Sequence, residues 1–173
     1  MTSQELEDDA APASGADAIA SRDDFRRALV AAIEAAAQQS GATQLWLCDP
    51  DFSTWPLGQP EVVEALARWA RSHRRLMLLA ADYRVLAQGA PRWHAWRRQW
   101  SHIVHCMQVH EEVAASVPTL LFAPGLRTVR LHDRERHRGR VLHAPLELTH
   151  CGERLDALLD RAEEALPATT LGL

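Results

Sequence analysis

The sequence predicts an α/β fold, specifically an α/β/α sandwich built on a mixed β-sheet. Three observations support this. The segments TQLWLC (43–48), RLMLLAA (75–81) and IVHCMQV (103–109) are apolar on both faces and alternate with amphipathic helical stretches. That arrangement suits parallel strands covered on both sides and joined by helical crossovers. TLLFA, RTVRL and RVLH then follow one another with only turn residues between them, which adds antiparallel strands. Finally, 173 residues with 47% hydrophobic and 24% charged content suit one domain with a sizeable core.

Residues 1–20 hold Glu5, Glu7, Asp8, Asp9 and Asp17 with no basic residue. Such a stretch buries too little apolar surface to offset its ordering entropy, so it is predicted to be a disordered acidic tail. The domain is expected over 21–167, followed by a short C-terminal tail, 168–173. Ser21 with Asp24 resembles a capping box, and Phe25, Leu29, Ile33 and Ala36 recur at helical spacing, predicting a helix over 22–39. The Asp, Pro and Gly content of DPDFSTWPLGQP marks a loop. Pro60 suits the first turn of a helix over 60–72 with Val62, Val63, Leu66, Trp69 and Ala70 inward. Pro91 opens another helix, PRWHAWRRQW, and RERHRG turns toward a strand at 140–143. A last helix, about 152–166, presents Leu155, Leu158, Leu159, Ala162 and Leu166 on one face.

All 19 basic residues are arginine, and the chain has no lysine. Schiff-base chemistry, a phosphate-loop lysine and any catalytic lysine are thereby excluded. The formal charge of −4 becomes +1 without the five N-terminal carboxylates, so net charge gives no nucleic-acid footprint. Cys48, Cys106 and Cys151 are odd in number and unpaired in spacing, which fits a reducing compartment. No apolar run approaches membrane-spanning length, so a cytoplasmic protein without membrane contact is expected.

The order of elements resembles one half of a phospholipase D-like protein. FRRALVAAIEAAAQQSGATQLWLCDPDF is similar to that superfamily's opening helix and first strand, and EVVEALARWARSHRRLMLLAAD to its second helix and strand. HIVHCMQV fits the strand before the catalytic motif, and LDALLDRAEEAL the closing helix. The chain also resembles an uncharacterised bacterial domain family that is sometimes joined to N-acetyltransferases. The superfamily's enzymes carry His-x-Lys-x4-Asp, supplying a nucleophile and a cation for the transferring phosphoryl group. Laid on that motif, this chain offers Val117, Thr119 and Pro124. The resemblance therefore implies a domain without phosphodiesterase activity, acting as an interaction or scaffolding module. Active members build one site between two halves, which implies a homodimer here; the second likeness implies an acetyltransferase-type partner.

The alternative reading is an arginine-mediated phosphate or nucleic-acid binder using Arg97, Arg98, Arg127, Arg130, Arg134, Arg136, Arg138 and Arg140, since guanidinium forks match phosphate oxygens. Solvated edges are the bland account of the same charges. Trp93, Trp96 and Trp100 occupy one helical face, with Arg92, His94, Arg97 and Arg98 expected elsewhere; such stripes usually pack the core. Asp49 and Asp51 follow a strand end, where α/β sheets place ligands, yet Asp-Pro-Asp is also ordinary turn chemistry. His102 and His105, read as parts of one strand, point to opposite faces and share no metal. No Gly-x-Gly-x-x-Gly or Ser-His-Asp pattern occurs, and no catalytic residue, metal or cofactor is expected.

Overall fold

The computed structural model describes residues 17–71 and 73–167. Residues 1–16 and 168–173, which include most of the acidic stretch and the C-terminal tail, lie outside the described residues.

The chain forms β1 (Ala18–Ile19), α1 (Arg22–Ala37), β2 (Gln44–Cys48), α2 (Pro60–Trp69), β3 (Arg75–Ala80), α3 (Arg84–Gln88), α4 (Pro91–Gln99), β4 (Val104–Val109), a 3-10 turn (Glu111–Ser116), β5 (Thr119–Ala123), β6 (Arg127–Asp133), β7 (Arg138–Leu142), α5 (Pro145–Leu159) and β8 (Ala162–Glu164). The strands make one sheet in the order β1-β7-β6-β5-β2-β3-β4-β8. β2, β3 and β4 are parallel, and every other neighbouring pair is antiparallel. This is the α/β sandwich with a mixed sheet that the hydrophobic pattern predicts.

Alternation sorts the strand residues onto two faces. Leu45, Leu47, Leu76, Leu78, Cys106 and Leu121 pack with Phe25, Leu29, Ile33, Leu66, Trp69, Trp93 and Trp96 from α1, α2 and α4. Trp46, Cys48, Met77, Leu79, Leu120 and Phe122 face the other way, beneath Leu148, Leu155 and Leu158 of α5. One helix thus covers that second face, against four on the first.

Local chemistry explains most boundaries. The Ser21 hydroxyl accepts the Asp24 N–H at 3.0 Å, and Asp24 in turn accepts from the Ala20 N–H at 3.1 Å, so the start of α1 is capped as predicted. Arg74 is buried and donates to the carbonyls of Trp69, Ala37 and Gln39, satisfying the C-terminal ends of α2 and α1 together.

Several boundaries differ from the sequence reading. The acidic stretch is not wholly outside the fold: Ala18 and Ile19 pair with Arg140 and Gly139 as an edge strand. The closing helix runs Pro145–Leu159 rather than 152–166. Pro145 occupies its first position, and Gly152 sits mid-helix beside the Phe122 ring. Ala162 is a strand residue, paired with Val109 on the β4 edge. Helix α2 stops at Trp69, and His102 lies in the turn before β4 rather than within the strand.

Candidate functional site

The parallel strands lead to Asp49, directly after β2. Here strand order reverses: β3 lies on one side of β2 and β5 on the other, which is where α/β sheets usually bind ligands. Asp49 is completely buried. Its carboxylate accepts the N–H groups of Asp51 (3.1 Å) and Phe52 (2.7 Å), the Thr119 hydroxyl (2.5 Å) and the Arg134 guanidinium (3.0 Å). Asp51 accepts from the Ser53 N–H and hydroxyl and from Arg134 at 2.5 Å. Burial pushes the Asp51 carboxyl up, but the hydrogen bonds from Ser53 and Arg134 outweigh it and hold the group below the usual carboxylate range.

Arg134 therefore reaches back from the β6–β7 turn and closes the crevice at the end of β2. The turn is fixed by His137, whose backbone is left-handed (φ 52°) and whose Nε2 lies 3.2 Å from the Thr54 carbonyl oxygen. Asp49 makes the side-chain-to-backbone turn contacts expected of Asp-Pro-Asp, and Arg134 is the partner the sequence does not reveal. The motif positions fit the same picture: Val117 is buried, the Thr119 hydroxyl is committed to Asp49, and Pro124 is exposed in the β5–β6 turn. Among the described residues, no three His, Cys, Asp or Glu side chains converge as a metal site.

The eight candidate arginines separate into distinct groups. Arg97 is only 5% exposed; it donates to the Leu166 carbonyl and lies 5.5 Å over the Trp93 ring. The expectation that it projects away from the tryptophans is wrong, because residues 93 and 97 are i and i+4 and share a helix face. Trp93 and Trp96 are buried and Trp100 is half-buried, so this helix packs the core and offers no aromatic platform. Arg98 is exposed but stands on α4, across the sheet from β6 residues facing α5. Arg134 is occupied by the two aspartates, and Arg136 pairs with Asp133 at 3.2 Å. Arg127 is half-buried and faces α1 in a cleft with Asp24, Arg27 and His143.

The face toward α5 holds the rest. Arg130 and Arg140 are directly opposite in the β6–β7 register, with Arg138 two residues along on the same side. Arg140 has Glu147 at 3.6 Å, whereas Arg130 and Arg138 are exposed and pair with no carboxylate among the described residues. Arg154 of α5 borders this strip. It donates to the Ser116 carbonyl and, with Arg130, lies near the Cys151 thiol, which burial nonetheless pushes up. The sequence gives no sign of Arg154 because it comes from a different element. Gly139 shapes the strip: a Cβ there would meet the Arg130 carbonyl oxygen at 2.0 Å, next to a bulge between Leu131 and Asp133.

No protein family and no curated protein matches the sequence. Among solved structures, the fold is similar to TrmBL2, described as an archaeal chromatin protein whose structure shows a novel mode of DNA binding. The TM-score is 0.59 at 10% identity, over 86% of this chain and 52% of that one. The chain thus spans about half the length of that structure, and the likeness is one of fold.

Proposed function

We propose that the domain is a non-catalytic binding module, a phospholipase D-like half that recognises phosphate-bearing polyanions, nucleic acid foremost, through Arg130, Arg138 and Arg140. The observation that carries this reading is the juxtaposition of Arg130 and Arg140. Like charges directly across a strand pair are destabilising unless an anion sits between them, and here Glu147 pairs with Arg140 alone, at 3.6 Å, while Arg130 is exposed. The non-catalytic part rests on the crevice after β2, where Thr119 and Arg134 already satisfy the buried carboxylate. The DNA-binding description of TrmBL2 adds support from a neighbour in fold.

The test is binding of a labelled single-stranded 20-mer to the full chain at several salt concentrations. Three phosphate contacts predict a slope of about −2 in log K against log salt, or roughly 20-fold weaker binding at 200 than at 50 mM. Replacing Arg130 and Arg138 by Gln should flatten the slope to about −0.7. Binding that ignores salt, or no binding, would overturn the reading. Salt-insensitive self-association, or capture of an acetyltransferase-type protein, would instead favour the scaffolding form of the same non-catalytic module.

A further inference from the structure

The arginine strip lies at the edge of the sheet where the chain enters the fold. β1 runs antiparallel to β7, so the chain before Ala18 approaches from the Leu142–His143 end of β7. Asp17, the last of the five N-terminal acidic residues, is already seated there. Its carbonyl accepts the Val141 N–H at 2.8 Å, and its carboxylate lies 3.4 Å from His143. Preceding it are 16 residues with Glu5, Glu7, Asp8 and Asp9 and no basic side chain. Ala18 stands opposite Arg140, and Arg130 is one strand further in, about 10 Å from β1. Sixteen residues span up to about 55 Å when extended, so all four carboxylates are within reach of the strip.

We propose that residues 1–16 dock on the arginine face of β6 and β7, giving Arg130 and Arg138 their carboxylate partners and competing with external polyanions for that face. The competition rests on the arginine strip being the anion-binding surface; the docking itself does not need a nucleic acid. An acidic segment tethered beside an exposed cationic strip holds a high effective concentration there, so weak ion pairs suffice to occupy it. A polyanion with more charges displaces the segment.

The experiment compares the full chain with its full-length E5Q/E7Q/D8N/D9N variant. Phenylglyoxal modification of individual arginines is followed by peptide mass spectrometry. At low salt, Arg130 and Arg138 should react about two to five times faster in the variant, the range exposed ion pairs give. The difference should vanish near 0.5 M salt, and Arg98, on the opposite layer, should react equally in both. Equal rates at Arg130 and Arg138 would overturn the proposal. A single-stranded 20-mer provides the second arm and should bind the variant about two to five times more tightly. If neither protein binds it while the modification rates differ, docking stands and the nucleic-acid reading falls. If both bind it equally and the rates are equal, the nucleic-acid reading stands and docking falls.

Discussion

At the residue scale, Asp49 and Arg134 dominate. Asp49 is a buried anion whose neutralisation depends on a guanidinium from a hairpin 85 positions later in the sequence. Removing one partner of such a pair strands a buried charge, whereas removing both does not. Arg134→Met should therefore destabilise the domain by about 3 kcal/mol, a drop of roughly 6–12 °C in the thermal midpoint. Asp49→Asn combined with Arg134→Met should recover part of that loss, and a double variant that loses the sum of the two single variants would contradict the coupling. Asp51 adds a pH dependence. Its carboxyl is held low in the folded chain, so its contribution is complete above the unfolded value near 3.8 and is lost as pH falls below it. Thermal melts across pH 3–6 should show a shallower acid decline in Asp51→Asn than in the parent. None of this pairing was legible beforehand. Asp-Pro-Asp announces a turn, but Arg134, between Asp133 and Glu135, reads as one of the candidate phosphate-binding arginines of a basic hairpin and not as the partner of Asp49.

At the element scale, most of the fold was visible because burial follows periodicity. The two-faced runs at 43–48, 75–81 and 103–109 became β2, β3 and β4 in parallel register. Elements whose position is set by partners were missed. β1 has two residues and β8 is Ala-Glu-Glu, so neither carries an apolar pattern of its own; each exists because an edge was available to pair with. The start of α5 lies earlier than its apolar face suggests, because Pro145 opens the helix and its first turns bury only Leu148. Gly139 makes the strongest element-level prediction. Gly139→Ala should cost on the order of 3 kcal/mol, in the upper range for point substitutions, because its Cβ meets main chain rather than a flexible side chain. A denaturant midpoint unchanged by that substitution would contradict the β6–β7 register. Ser21→Ala should cost about 1 kcal/mol through loss of the α1 cap, measurable in the same way.

At the scale of the whole molecule, the asymmetry of the two layers matters most. Four helices cover one face of the sheet, and α5 with the short 3-10 turn covers the other. The arginines on which the proposed recognition rests are those of β6 and β7 that point to the thinly covered side. The sequence names the basic hairpin as a candidate. It could not divide the hairpin's arginines between network, edge and open face, because that division follows from strand parity and from a turn that folds Arg134 backward. The crevice after β2, a ligand position in many α/β sheets, is filled by the chain's own side chains. The proposed recognition is therefore displaced from that crevice to the sheet face.

Chemical-shift mapping of the ¹⁵N-labelled full chain with a single-stranded 20-mer at low salt tests that displacement directly. The changes should concentrate on β6, β7 and the adjoining side of α5, leave Asp49–Ser53 and Thr119 unmoved, and leave the oligonucleotide intact. Largest changes at Asp49–Ser53 and Thr119, or cleavage of the oligonucleotide, would contradict the account.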